Sequence, residues 1–167
     1  MLTKEQYELC VGLLKKELVP ALGCTEPIAV AYAAACCREL LGCFPEHITV
    51  SSSGNIVKNV KGVIVPTTGD MRGIDTSAIL GALAGDASLE MEVLGRVTPE
   101  DVEKVRALRN TGLCTLKVLD GIENLRIIVQ MEGGGHEALV EIAGGHTRAN
   151  CQAKCNTDLR INSTGER

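Results

Sequence analysis

The chain has 167 residues, 45% of them apolar, eight cysteines, only 2% aromatic residues and a net charge of −4. That is length for one domain with a real core and too little for two. With no Lys/Arg block and almost no aromatic side chains to stack on bases, nucleic-acid binding is excluded as an expectation. The longest apolar run, Ile28 to Cys37, is about half of what spans a bilayer, and no secretory leader precedes it. The chain therefore reads as soluble and cytoplasmic, with neither a membrane nor a nucleic acid as partner.

In chain order, Thr3-Lys4-Glu5-Gln6 forms a capping box. The helix it opens carries Tyr7, Cys10, Val11, Leu14 and Leu18 near one face, is expected to pack on something, and ends at Pro20. A second helix, from about Glu26 to Leu41, is apolar nearly all round at its start, as a central helix should be. Gly42 and Pro45 end it. Ile48–Ser53 reads as a strand and Gly54-Asn55 as a turn, with Ile56–Val60 and Gly62–Pro66 as one or two more extended pieces. Thr67–Gly73 is a polar, Gly-bracketed loop before a helix from Asp75 to about Ala84. It is read either as an anion-gripping turn or as an ordinary solvated one. It lacks the Lys-Ser/Thr of a P-loop, so nucleotide binding is rejected.

Thr98-Pro99-Glu100-Asp101 starts a further helix that runs to about Arg109. Leu113–Leu119, Leu125–Glu132 and Ala138–Ala143 read as strands of an antiparallel meander. His136 and His146 fall near strand ends and are read as surface or cap residues before catalytic ones. From Asn150 the chain turns polar and is not expected to join the core. The expected architecture is α+β, with Ala/Gly-rich helices packed on mainly antiparallel strands. Its domain is 1–148, followed by a polar, divergent tail, 149–167.

The stretch with most chemistry is Ala21-Leu22-Gly23-Cys24-Thr25-Glu26-Pro27. Pro27 suits the first turn of a helix, Thr25 its cap, and Glu26 its positive end. Cys24 would then sit where free amides and the helix dipole favour a thiolate. The plain alternative is a buried structural cysteine. Cys36-Cys37 cannot chelate together from a helix, and Cys151 and Cys155, three residues apart with no second pair, make a weak zinc motif.

Three motifs carry a resemblance. Ala21–Ala29, Ser53-Gly54-Asn55-Ile56-Val57-Lys58-Asn59-Val60-Lys61-Gly62-Val63 and Gly81-Ala82-Leu83-Ala84-Gly85-Asp86 resemble the L-cysteine desulfidase family, related to the alpha chain of iron–sulfur L-serine dehydratase. The resemblance covers about residues 1 to 148. It implies a [4Fe–4S]-dependent lyase that turns L-cysteine, or L-serine, into pyruvate and ammonia, releasing sulfide or water. In that reading Cys24 is the catalytic base, and Asn55, Lys58 and Glu26 bind the amino-acid substrate. Lys58 on a solvated strand edge is the alternative for that residue.

Family members are longer and carry their cluster cysteines in a C-terminal half that this chain does not contain. The cluster is therefore not expected on this chain alone, and Cys151 and Cys155 are not taken as replacement ligands. Two readings stand side by side: a truncated amino-acid lyase, or a non-catalytic subunit that needs its missing half or a cluster-bearing partner chain. A small regulatory module that binds an amino acid is a third. A truncated chain should expose an apolar patch, which leaves homo-oligomerisation open.

Overall fold

A computed structural model describes residues 2–18, 20–121, 124–146, 149–155 and 161–162. Among them, five α-helices lie at α1 Lys4–Glu17, α2 Thr25–Leu41, α3 Gly54–Gly62, α4 Ile74–Ala84 and α5 Pro99–Leu108. The strands are β1 His47–Ser53, β2 Cys114–Leu119, β3 Arg126–Gly133, β4 His136–Ala143, β5 Ala149–Cys155 and β6 Ile161–Asn162. They form one sheet in the order β2-β1-β3-β4-β5-β6. Only β1–β2 is parallel, with Ile48 opposite Cys114; the other pairings are antiparallel. The architecture is the α+β arrangement expected from the sequence.

Helix α2 is the centre of the core. Ile28, Ala29, Val30, Ala31, Ala33, Ala34, Ala35 and Cys37 are all fully buried. It lies against β3, β4 and β5, whose buried side chains include Ile127, Val129, Val140 and Ile142, while α4 lies beside it over β1 and β2. Small residues let α4 come very close. A Cβ at Gly81 would collide with the Ala31 backbone, and one at Gly85 would come within 2.9 Å of the Ala35 Cβ. Both pairs advance by four residues in the same sense, so α2 and α4 run side by side in the same direction. At their carboxyl ends Arg38 Nη2 donates to the Gly85 carbonyl at 2.9 Å.

This parallel pairing decides where function can sit. The short connection after α2 sends β1 back toward the amino end of α2, and β1 runs straight into α3. The amino ends of α2, α3 and α4 and the carboxyl end of β1 are therefore brought to one end of the domain.

Several local expectations are corrected. Residues 54–62 form a helix, not a turn followed by extended chain. Ile56 and Val60, four apart, are both buried, and a shared apolar face overrides the strand preference of β-branched residues. Only Ile64 makes an isolated bridge, to Arg72. Strand β2 is not part of the meander but the parallel edge beside β1. Residues 149–155 are not a detached tail: β5 pairs with β4 in register, with Cys151 opposite Val140, and Ala149 and Cys151 pack against the core. Helix α1, expected to pack, has Tyr7, Leu9, Leu13 and Leu14 exposed, although its capping box at Thr3 and Gln6 forms as expected.

Candidate functional site

The amino end of α2 gathers a thiol, a carboxylate and an amide. Cys24, not Thr25, is the N-cap, with extended backbone and no side-chain cap bond. Its thiol is therefore free to donate elsewhere, and it donates to Glu26 Oε2 at 2.9 Å. Thr25 Oγ1 donates to the same oxygen at 3.2 Å. From α3, Asn59 Nδ2 donates to Glu26 Oε1 at 3.0 Å. Three residues from two helices thus hold one carboxylate, all of them partly buried. Gly23 keeps the entry tight, since a Cβ there would lie 3.2 Å from Pro66 Cγ.

The protonation states are pushed apart. Burial, then the bond to the Glu26 carboxylate, raises the Cys24 thiol above its ordinary 9.0. The Cys24 thiol, followed by weaker help from Asn59 and Thr25, holds Glu26 below its ordinary 4.5 against the cost of burial. A carboxylate that accepts several hydrogen bonds stays ionised. At neutral pH the pair is a neutral thiol on a charged carboxylate. The expected thiolate is therefore reversed: backbone amides at Thr25 and Glu26 do lower the Cys24 value, but burial and Glu26 outweigh them.

The substrate-binding candidates fall on α3. Asn55, Lys58 and Asn59 are spaced i, i+3, i+4 and share one helix face. Asn59 touches Glu26; Asn55 and Lys58 are exposed. Asn55 Nδ2 donates to the Asn124 carbonyl at a long 3.5 Å, and Ser53 Oγ donates to the same oxygen at 3.1 Å. Lys58 makes no ion pair with a described residue, and its place on a helix replaces the expected strand edge. Asn59 was missed in the sequence. The signal was there, in the four-residue spacings Asn55/Asn59 and Ile56/Val60, but Val and Ile were read as strand formers.

The Thr67–Gly73 loop is an ordinary turn. Thr68 Oγ1 donates to the Val65 carbonyl at 2.7 Å and accepts from the Met71 amide at 3.2 Å. Asp70 pairs with Arg106 at 2.9 Å, and Asp75, in the first turn of α4, with Arg109 at 2.7 Å. A carboxylate of the chain's own already occupies that positive end.

Of the other described thiols Cys10 is exposed, while Cys36, Cys37, Cys43, Cys114 and Cys151 pack in or against the core. Cys37 donates toward the Val129 and Ala138 carbonyls at 3.5 and 3.3 Å, tying α2 to the sheet. Burial pushes Cys37 and Cys114 up to about 12 and Cys36 to about 11. Among the described residues no group of three or more His, Cys, Asp and Glu side chains is assembled to hold a metal ion. Three converging thiolates are the minimum for a [4Fe–4S] cluster, so the described residues do not fit one. Cys155 side-chain placement and Arg148 lie outside the described residues. No described helix is long and apolar enough to cross a membrane.

No model of a known protein family matches the chain, and no solved structure does. Among its relatives, a UPF0597 protein of Lachnoclostridium phytofermentans is 50% identical over 141 residues, 84% of this chain and 34% of the relative. One from Finegoldia magna is 46% identical over 136 residues, 81% of this chain and 33% of the relative. One from Treponema denticola is 43% identical over 146 residues, 87% and 34% respectively. These relatives correct the expected resemblance to L-cysteine desulfidases, because none of the three carries that name. The structure gives a physical reason for caution with the motifs: Gly81–Asp86 encodes the close approach of α4 to α2, and much of Ala21–Ala29 encodes a helix start. Such features serve packing as readily as chemistry. The chain is similar over more than four-fifths of its length to UPF0597 proteins and spans about a third of theirs.

Proposed function

We propose that Cys24, Glu26 and Asn59 form the acid–base site of a lyase acting on a small β-substituted amino acid. The observation that carries this is the 2.9 Å bond from Cys24 Sγ to Glu26 Oε2, with the two groups held in opposite protonation states. Paired groups whose environments push their pKa values apart are suited to opposite roles. Glu26 is then the base and Cys24 the acid, which exchanges the base role first assigned to Cys24. Glu26 Oε1, bonded among the described residues by Asn59 alone, keeps a lone pair for a substrate proton.

The protons close in this scheme. Glu26 Oε1 takes the α-proton, and the Cα–H pair becomes the Cα–Cβ double bond. The Cβ substituent leaves with its own bonding pair and takes the Cys24 proton. The resulting thiolate recovers a proton from Glu26 across their hydrogen bond, and the enamine product hydrolyses in water. Asn59 keeps Glu26 ionised and oriented. Asn55 and Lys58, on the same face of α3, are placed to meet a substrate carboxylate by hydrogen bond and charge. A [4Fe–4S] centre would have to come from polypeptide outside the described residues, and no step here runs through one.

The test is exchange of the α-proton of L-serine or L-cysteine for deuterium, followed by NMR alongside pyruvate release. The chain should catalyse exchange, Glu26→Gln should abolish it, and Cys24→Ala should retain exchange while losing elimination. Equal exchange by wild type and Glu26→Gln, or none by either, rejects this reading. The second reading is a subunit that becomes active only with a partner. It is favoured by the chain's spanning 33–34% of its relatives, and it predicts exchange only after that partner is added.

A further inference from the structure

The chain contains a single Asp-Gly step, Asp120-Gly121, and no Asn-Gly step. Both residues are exposed and lie in the connection that follows β2. The aspartates with described side chains divide by what holds them. Asp70 pairs with Arg106 at 2.9 Å, Asp75 with Arg109 at 2.7 Å and Asp86 with Arg96 at 2.8 Å. Asp101 accepts from Thr98 Oγ1 at 2.7 Å and from the Thr98 amide at 3.1 Å. The Asp120 carboxylate has no such partner among the described residues. The pinned aspartates are followed by Met71, Thr76, Ala87 and Val102, whose side chains crowd the next amide; Asp120 is followed by glycine. A glycine amide carries no such shield, and an exposed connection leaves an unpinned carboxyl free to swing onto it.

We propose that Asp120-Gly121 is a site of spontaneous isoaspartate formation, and that the modification loosens the start of α3. The Gly121 backbone nitrogen attacks the side-chain carboxyl carbon of Asp120 in its protonated form. A C–N bond forms, the carboxyl C–OH bond breaks, and the hydroxyl leaves as water with the amide proton. The resulting ring takes up one water in turn. Opening at the side-chain carbonyl restores aspartate. Opening at the α-carbonyl routes the main chain through the Asp120 side chain and lengthens it by one carbon. Mass is unchanged, and neither an oxidant nor an enzyme is needed. The added carbon lies four residues before Asn124, whose carbonyl accepts from Ser53 Oγ at 3.1 Å and from Asn55 Nδ2 at 3.5 Å. Ser53 is the N-cap of α3 and makes no side-chain cap bond, so the Asn124 carbonyl is what its hydroxyl holds. Shifting that carbonyl releases both donors at the start of the helix. Because β1 and β2 run parallel with Ser53 opposite Leu119, the connection leaves the sheet at the end that carries the amino ends of α2 and α3. Neither step depends on lyase chemistry.

The experiment ages the full chain in neutral buffer. Isoaspartate is read by carboxyl methylation with a protein L-isoaspartyl methyltransferase and a labelled methyl donor, then placed by peptide mapping. Label is expected on the peptide that carries Asp120 and not on those that carry Asp70, Asp75, Asp86 or Asp101. Asp120→Glu, which would have to close a larger ring, should lose the label. Gly121→Ala, whose Cβ crowds the attacking nitrogen, should slow its appearance. Both are exposed substitutions, and circular dichroism should show both variants folded. Amide hydrogen exchange over residues 54–57, the first turn of α3, should be faster in the aged chain than in the fresh one. In Asp120→Glu it should not change on ageing. No label at Asp120, label spread equally over the pinned aspartates, or label that survives Asp120→Glu would overturn the modification site. Label at Asp120 with unaltered exchange in α3 would overturn its coupling to that helix.

Discussion

Helices α1 and α2 stand next to each other in the chain and both are rich in apolar residues, yet one is exposed over most of its length and the other is mostly buried. In α2 the apolar residues are mostly Ala, Val and Ile, small enough for α4 beside it and the sheet under it both to close in. In α1 they are large Leu and Tyr side chains with no described surface opposite them. Apolar content therefore did not decide burial; the fit to a neighbour did. The same contrast separates the cysteines, since Cys37 is sealed against sheet carbonyls while Cys10 on α1 is open to solvent.

The strongest way to break this comparison is to fill the α2–α4 contact. Gly81→Val must displace the Ala31 backbone and should cost upwards of about 3 kcal/mol in denaturant unfolding, at the upper end for overpacking. Gly12→Ala on α1, with nothing within 4 Å, should instead raise helicity by about 1 kcal/mol or less. If the two substitutions had equal effects, the description of α2 as the packed helix would be wrong.

Cavity formation should follow in size. Ile28→Ala, fully buried, should destabilise the domain by about 2–5 kcal/mol. Leu14→Ala on α1 should stay within about 0.5 kcal/mol, read from the same thermal melts.

Thiol chemistry sharpens the contrast at the amino end of α2. Alkylation should reach Cys10 first and Cys37 only on unfolding, with Cys24 between them. Glu26→Gln removes the anion that raises the Cys24 pKa, so Cys24 should be alkylated faster at any given pH below its titration. An unchanged rate would mean that the Sγ–Oε2 bond does not govern the thiol.

The smallest expected effect is a pH dependence. Glu26 has a folded pKa below its ordinary 4.5, so the fold prefers its ionised form. That stabilisation is present above 4.5 and is lost as pH falls through the lowered value. Asn59→Ala removes one donor, raises the Glu26 pKa and should shift this acid limb upward, as titration of unfolding against pH would show.

Much of this was legible in residues alone. The capping box at Thr3, the helix start at Thr98-Pro99 and the uncharged run of α2 are local signals whose physics is complete within a few residues. The alternating burial of β3 and β4 is equally local. Cys24 and Glu26 could be picked out because a thiol and an acid stand two residues apart at a helix start. Helix α3 could not, because Ile56, Val57 and Val60 have strand propensity and only the face they bury turns them into a helix.

By itself, then, the sequence determined the helix starts, the Ala/Gly composition that permits close packing, and the placing of a cysteine and a glutamate at the amino end of α2. Only the tertiary structure decided that β2 lies parallel beside β1, that β5 extends the sheet, and that Asn59 crosses from α3 to Glu26. It also decided that the Cys24 thiol is held neutral, because burial and a carboxylate 2.9 Å away outweigh the helix amides. Each of these depends on groups distant in the chain being brought within a few ångströms, where desolvation and hydrogen bonding overrule local preference.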